Sequence, residues 1–431
     1  MSWPPFSRYP LDLATSVCCA SSQQAGRLAH SSACSHRSVN PTIVREPRRR
    51  LIQRAYTRKM KRSCLASTAL ASVGLMIGDA SANGIKLEIG GRFESAAGGT
   101  IQVSHNAAAD TDDVRDYVFK QDVEVDFLGS VTLDNGLTVG AVVEFEGQTS
   151  DDQVSSVYAY FSGRYGELRF GDTAEAYAQL CTLVPSASTL FGADSPEFNF
   201  SNAGIAGYAA TNGTCYGIDD NSTKLVMFSP VIGGFQFATS FTPDNSEDTR
   251  NTLNGAGTRF DNDPDQNSEN LSVAASYTQD FNGVSLVIGG GATISFDKEI
   301  NPGNTEDARG YNAYAQVSVS GLTIGAASEL RENLGTGGSD QWVYGAGMTY
   351  EFDDLTIGLG WTRGDYEKAV GADGTGPFSA VHDIYSATAS YELQSGLYLE
   401  SMIEYSDYRS HDAAGPDYQG LGFGVGTVII F

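Results

Sequence analysis

The sequence predicts an all-β protein, a sixteen-stranded antiparallel transmembrane β-barrel with a long third loop folded into its interior. From residue 84 onward, segments of about ten residues alternate apolar and polar side chains. No apolar run in this part approaches the roughly 18 residues of a membrane-spanning helix. The connections between segments alternate between short turns and longer polar loops, which is typical of bacterial outer-membrane barrels.

Each predicted strand has one apolar and one polar face. In residues 117–133, for example, Phe119 and Val123 share one face while Asp122 and Glu124 share the other. Sixteen strands are predicted, at 85–94, 117–133, 137–146, 157–162, 167–172, 222–229, 235–242, 271–281, 284–296, 311–320, 322–332, 341–352, 355–366, 383–393, 397–406 and 418–431. The last strand ends at Phe431 and sets Gly422, Gly424 and Gly426 on one face. The alternative for that strand, an exposed edge of a β-sandwich, is disfavoured because long apolar edges invite aggregation.

Residues 60–82 have the pattern of a secretory signal peptide. A basic start at Lys61-Arg62 precedes an apolar run and the Ala80-Ser81-Ala82 cleavage pattern. We expect residues 83–431 to form the exported barrel. Residues 1–59 are interpreted as a disordered extension from a start codon assigned too far upstream, although this region also resembles an organelle transit peptide.

Charge excludes nucleic acid as a general partner. The whole chain has 27 Lys and Arg residues and 52 Asp and Glu residues. Of these, 15 basic and 49 acidic residues lie beyond residue 82. A body this acidic lacks the clustered positive charge that phosphate backbones require.

The most unusual connection spans residues 173–221. It is 49 residues long, with five acidic groups and no Lys or Arg. Its many apolar residues argue against a solvated linker, so we expect it to pack inside the barrel and narrow it. Glu175, Asp194 and Glu197 are the candidates to face the channel, and the sequence does not choose among them. Cys181 and Cys215 also lie here and could form a disulfide in an oxidising periplasm or remain two buried thiols.

Several motifs make the chain resemble the general diffusion porins of Gram-negative bacteria, particularly the sixteen-stranded porins of alphaproteobacteria. They are the run 158–172, the segment 227–236 and the terminal Phe431. The resemblance covers roughly residues 84–431 and implies that the third external loop forms the constriction. Pro196-Glu197-Phe198 looks like the loop-tip turn of enteric porins, but Asn199 and Phe200 replace its two glycines.

The resemblance also implies a row of basic side chains on the wall opposite the acidic loop. The candidates in the inward phase are Lys86, Arg92, Lys120 and Arg169, with Arg331 as a weaker one. The alternative is that these residues only balance nearby carboxylates. A homotrimer, and contact with outer-membrane lipid and lipopolysaccharide, are further expectations.

The predicted function is passive diffusion of small hydrophilic solutes and ions, with a preference for cations. A substrate-specific channel, for example for sugars, and an extracellular β-sandwich adhesin are the alternatives. No enzyme is expected, because His105, His382 and His411 fall in predicted external loops without a nucleophile motif. No cofactor is expected beyond a candidate structural calcium at Asp261, Asp263 and Asp265, where Pro264 and Gln266 break the EF-hand pattern.

Overall fold

The computed structural model describes most of the chain beyond residue 83. The described residues are 84–106, 115, 117–147, 153–201, 212–219, 221–245, 268–296, 307–334, 338–369, 378–411 and 417–431. Within them lie the strands β1 (Lys86–Asn106), β2 (Tyr117–Thr132), β3 (Thr138–Glu146), β4 (Val154–Gly163), β5 (Gly166–Thr173), β6 (Ser222–Phe228), β7 (Phe235–Asp244), β8 (Ser268–Phe281), β9 (Val284–Ser295), β10 (Arg309–Val319), β11 (Leu322–Leu334), β12 (Ser339–Phe352), β13 (Leu355–Ala369), β14 (Phe378–Gln394), β15 (Leu397–Ser410) and β16 (Asp417–Ile430). One short helix, α1 (Ala176–Gln179), lies in the connection between β5 and β6. No helix in these ranges is long and apolar enough to cross a membrane.

The sixteen strands form one closed antiparallel barrel, which confirms the predicted fold class. Each strand pairs with its neighbours in sequence, and β1 pairs with β16 to close the sheet. At this seam Arg92 lies opposite Ile430. The backbones of Gly91 and Phe431 exchange two hydrogen bonds of 3.0 and 3.1 Å, so the last residue of the chain is held in the sheet.

Side chains alternate between the two faces of the barrel wall, as period-2 patterning predicts. The outer face carries large apolar side chains that are exposed, for example Phe119, Phe170, Leu359 and Ile403. The inner face carries polar residues and small residues, many of them buried. This arrangement suits lipid outside and water or a packed loop inside.

The short turns lie at one end of the barrel and the long connections at the other. Between β8 and β9 the turn is Asn282-Gly283, both with positive φ (56° and 91°), which matches the right-handed twist of a tight hairpin. The described part of the connection from β5 to β6, residues 174–201, 212–219 and 221, runs into the barrel. It is called the third loop below.

Several strands are longer than predicted, most of all β1, which ends at Asn106 rather than at residue 94. Its added part begins with Ser95-Ala96-Ala97-Gly98-Gly99, where the apolar–polar alternation disappears. Ala96 and Gly98 are buried under the third loop, and a tightly covered inner face has room only for small side chains. The missing alternation therefore reflects packing against the loop rather than the end of a strand.

Candidate functional site

The third loop enters the barrel directly after β5 and lies against the inner wall. The backbone N–H groups of Ala176 and Tyr177 donate to the hydroxyls of Ser240 on β7 and Ser272 on β8, at 3.0 and 2.8 Å. Farther along, loop atoms bond to wall residues Gln316 on β10, Thr388 on β14 and Glu400 on β15. The described part of the loop thus follows the wall from β7 to the seam between β16 and β1.

Glu175 joins the two ends of the loop to the wall. Its Oε1 accepts the N–H of Ile218 at 3.1 Å, and its Oε2 accepts the hydroxyl of Thr293 on β9 at 2.7 Å. Burial, and then the charge of Asp219, raise the pKa of Glu175 to about 8. The prediction that Glu175 faces the channel is wrong, because the side chain is fully buried.

Glu329 on β11 is a second acidic anchor, and the sequence did not single it out. One oxygen accepts both the Tyr177 hydroxyl at 3.0 Å and the N–H of Gly217 at 2.8 Å. The other lies 3.5 Å from the guanidinium of Arg331. Burial, and then the charge of Glu329, raise the pKa of Tyr177 well above its usual value. Glu329 therefore fixes the start and the end of the loop at one point of the wall.

Asp194 holds the middle of the loop to its returning part. Its carboxylate accepts the N–H of Val184 at 2.8 Å and both the N–H and the hydroxyl of Thr214, at 2.9 and 2.6 Å. Nearby, Cys181 and Cys215 form a disulfide with their Cα atoms 5.8 Å apart. Burial raises the pKa of Asp194. This carboxylate is buried within the loop, so the prediction that it faces the channel is also wrong.

Glu400 on β15 secures the next part of the loop and is likewise a residue that the sequence did not single out. Its carboxylate accepts the Ser188 hydroxyl at 2.6 Å and the N–H groups of Thr189 and Leu190, both at 3.0 Å. The sequence signal that could have identified Glu400 is a carboxylate among apolar residues in the inward phase of a strand. Phase alone does not show that a loop supplies its donors.

The far end of the loop is held by apolar packing. A methyl group at Gly424 would lie 2.8 Å from the ring of Phe200, and one at Gly426 would lie 2.5 Å from Leu190. Gly98 meets Phe200 in the same way, at 2.7 Å. Glycines on β1 and β16 thus leave the space that these side chains fill. The buried cluster comprises Ala96, Leu190, Phe191, Phe198, Phe200, Met402 and Val428.

The loop tip brings a third carboxylate next to two on the wall. Carboxylate oxygens of Glu197, of Glu94 on β1 and of Asp122 on β2 lie within 4.8 Å of one another. Beside them, the ammonium of Lys120 donates to the backbone carbonyl of Asn199. Of the three predicted channel-facing acids, only Glu197 lies beside the acidic residues of β1 and β2.

The wall formed by β1, β2 and β3 is mainly acidic on its inner face. In register, Glu94 lies opposite Asp122, and Asp126 lies opposite Glu144. Arg92 is bonded to Glu124 at 3.1 Å and lies 3.8 Å from Glu94. Seven carboxylates, those of Glu88, Glu94, Asp122, Glu124, Asp126, Glu144 and Glu146, share this phase with three bases, Lys86, Arg92 and Lys120.

The predicted row of basic residues is therefore only partly present. Lys86 is exposed at the turn end of β1, and Arg92 and Lys120 stand among the wall carboxylates. Arg169 is buried under α1, where it donates to Gln179 at 2.9 Å and to Glu167 at 2.7 Å. Because Gln179 covers it, Arg169 anchors the loop, and the prediction that it lines the channel wall is wrong.

Two further predictions concern metal and catalysis. Asp261, Asp263 and Asp265 lie outside the described residues, so the calcium site stays a prediction. His382 was expected in an external loop but is buried on β14, with Nε2 2.7 Å from the Ser406 hydroxyl. Its Nδ1 has no hydrogen-bond partner among the described residues.

Comparison with known families decides what kind of protein carries this barrel. A family model described as Gram-negative porin matches residues 64–411. The chain belongs to the Gram-negative porin family. It is therefore a bacterial outer-membrane channel protein, and its family and fold indicate a channel rather than an enzyme. No curated protein gives a significant match to this porin.

Solved structures share the fold of this porin at low sequence identity. The outer membrane channel DcaP of Acinetobacter baumannii has a TM-score of 0.54 and 12% identity, covering 81% of this chain and 99% of its own. The anion-selective porin from Comamonas acidovorans has a TM-score of 0.53 and 14% identity, with coverages of 80% and 100%. A trimer form of OmpT, an outer membrane protein of Vibrio cholerae, has a TM-score of 0.52 and 12% identity, with coverages of 81% and 100%.

Proposed function

We propose that this porin forms a water-filled channel through which small hydrophilic solutes and ions diffuse passively, with a preference for cations. A barrel of sixteen strands is wide enough to leave an aqueous passage beside an inserted loop. The described contacts of the third loop run along β7 to β16 and reach β1 and β2 at the tip. The passage is then bounded by the loop on one side and by β1 to β4 on the other.

The acidic inner face of β1, β2 and β3 carries the proposal. Seven carboxylates against three bases give this surface a net charge of −4 when all are ionised. Charges on the wall of a narrow passage act across less than the screening length of about 8 Å at physiological salt, so ions in solution do not mask them fully. A cation is therefore attracted to the passage and an anion is repelled.

The similarity to an anion-selective porin does not argue against this preference. That structure is 14% identical to this chain, and such a likeness carries the fold alone. Selectivity depends on side chains that line the passage, and these differ freely between proteins with the same barrel.

The test is the reversal potential of the purified porin in a planar bilayer under a potassium chloride gradient. The expected sign is that of a cation-preferring pore at neutral pH. A reversal potential of the opposite sign contradicts the preference, and the absence of conductance contradicts the channel itself. A series of uncharged solutes distinguishes a general from a specific channel: a smooth decline of permeation with size is expected, whereas saturation by one sugar indicates a specific site.

We further propose that the porin is a homotrimer surrounded by outer-membrane lipid and lipopolysaccharide. A trimer form of OmpT, one of the structures that share this barrel, supports the number of copies. Native mass spectrometry of the detergent-solubilised porin measures the number of copies directly. A monomer at all detergent concentrations contradicts the trimer.

A further inference from the structure

The outer face of β13, β14 and β15 carries three successive rows of different chemistry. Cross-strand register defines the rows, because each residue lies beside its partners on the neighbouring strands. From the middle of the barrel towards the long loops, the rows are Leu359–Ala387–Ile403, Trp361–Tyr385–Tyr405 and Arg363–Asp383–Asp407. Aromatic belts mark the level where hydrocarbon meets the lipid headgroups. The charged row therefore lies at the headgroup level of the outer leaflet.

The charged row is organised around one shielded carboxylate. The side chain of Asp383 is only 6% exposed. One of its carboxylate oxygens accepts hydrogen bonds from Arg409 at 2.7 Å and from Arg363 at 3.3 Å. The indole N–H of Trp361 donates to its other oxygen at 3.3 Å. Since both guanidinium nitrogens bond to one oxygen, they lie at most about 6 Å apart. One phosphate group can bridge such a gap with two charge-assisted hydrogen bonds.

Both arginines have guanidinium N–H donors on the outer face of the barrel that Asp383 does not use. The Nε of Arg363 faces Asp365 at 3.3 Å, and the Nε of Arg409 faces Asp407 at 3.5 Å. With one Nη bonded to Asp383, each guanidinium retains a second Nη that has no partner among the described residues. The side chains of Arg363 and Arg409 are 33% and 49% exposed, so these donors are accessible from the lipid side.

Other strands differ at the corresponding end. Their outward side chains near the long loops include Ile101 on β1, Phe241 on β7 and Leu271 on β8, all apolar and exposed. If ion pairs at this level served only to stabilise the pairing of neighbouring strands, they would be equally useful at those positions. On β10 a single arginine, Arg309, lies 3.9 Å from Asp307, whereas two arginines converge on Asp383. This convergence favours a local binding role at β13–β15.

We propose that Arg363 and Arg409 form a binding site for the phosphate group of a lipid in the outer leaflet. The five charged residues carry one carboxylate more than they carry guanidinium groups, which disfavours a free anion. A lipid overcomes this, because its anchored tail holds the phosphate at high local concentration. The apolar row of Leu359 and Ile403 then contacts the acyl chains. This inference rests on the proposed lipid surroundings of the porin and is independent of its ion preference.

Native mass spectrometry of the folded porin in detergent tests the site, with diphosphoryl lipid A as the probe. Binding to the double variant R363Q/R409Q is expected to fall about ten-fold. The matched control is R309Q, which removes another half-exposed arginine at the same end of the barrel, on β10. Dephosphorylated lipid A is expected to bind the unchanged porin as weakly as the probe binds the double variant.

Three results overturn the proposal. They are equal binding of the probe to the porin and to R363Q/R409Q, an equal loss of binding in R309Q, and displacement of the probe by millimolar inorganic phosphate, which indicates a site for the free anion. If the double variant fails to fold, R409Q leaves the Arg363–Asp383 pair intact and should lose about three-fold of the binding. The reversal potential, measured on the same samples, tests the channel separately and is expected not to change.

Discussion

Acidic residues have different neighbours behind the third loop and on the inner face of β1 to β3. Behind the loop, Glu175, Glu329 and Glu400 are buried, and each accepts at least two hydrogen bonds. On β1 to β3, carboxylates stand beside other carboxylates, as Asp126 does opposite Glu144. The same side-chain chemistry therefore holds the loop in one region and creates a negative field in the other. What differs is the neighbourhood: loop donors surround the anchors, whereas several carboxylates share the inner face of β1 to β3.

The largest effect should follow from removing a buried anchor. We expect Glu329→Ala to destabilise the third loop by ~3–5 kcal/mol, because the Tyr177 hydroxyl and the Gly217 N–H lose their acceptor and Arg331 loses its ion-pair partner. The barrel itself should persist, and single-channel recordings should show a larger and noisier conductance. Glu332→Ala, on the same strand but in the outward phase, is the control. Unchanged recordings for Glu329→Ala would mean that the buried carboxylates do not hold the loop.

A second effect should appear as a pH dependence of stability. The pKa of Glu175 is raised from 4.5 to about 8 by burial and by Asp219. Below pH 4.5 the group is protonated whether the protein is folded or unfolded. As pH rises from there to about 8, the unfolded chain releases the proton while the folded protein keeps it, so this contribution to stability is lost. The slope is at most ~1.4 kcal/mol per pH unit.

Replacing Glu175 by glutamine should remove this slope. The variant E175Q keeps one neutral acceptor oxygen for the Ile218 N–H, and its amide NH2 can donate to the Thr293 hydroxyl. Because glutamine does not titrate, the variant should gain stability relative to the unchanged porin as pH rises through the window. Thermal unfolding in detergent at several pH values measures the difference. Glu269→Gln, an exposed glutamate on β8, is the control. Parallel pH profiles for the porin and E175Q would show that Glu175 does not titrate as its burial implies.

The smallest effect should come from neutralising carboxylates on the inner face of β1 to β3. Neutralising the facing pair with Asp126→Asn and Glu144→Gln should lower the cation-to-anion permeability ratio at least about five-fold, because a charge at ~4 Å in water contributes ~1 kcal/mol. Stability should change little. The reversal potential reports the ratio, and Asp134→Asn in the exposed turn between β2 and β3 is the control. A loss of stability without a change in the reversal potential would assign these carboxylates the anchoring role instead.

The sequence was sufficient for the barrel because strand alternation is a local property. Period-2 patterning placed Glu94, Asp122 and Lys120 on the inner face, where register and contacts place them. It failed where the partners are remote. Glu175 finds Ile218 and Thr293 at separations of 43 and 118 residues, and no local pattern shows that these donors will bury it.

Arg169 illustrates the same limit for a basic residue. Its inward phase was predicted and is correct, but its exposure depends on Gln179, which folds back over it from α1. Charge and phase predict the face of a side chain. Whether that face is open to water depends on what the loop covers, and this is a property of the whole fold.

The glycines beneath Phe200 have a consequence for how the barrel is assembled. Phe200 contacts Gly98 on β1 and Gly424 on β16, strands that are at opposite ends of the chain and meet only when the barrel closes. The surface against which the loop tip packs is therefore incomplete until β1 and β16 have paired. Full packing of the loop tip therefore requires a closed barrel, and the passage reaches its final width only after the first and last strands have paired.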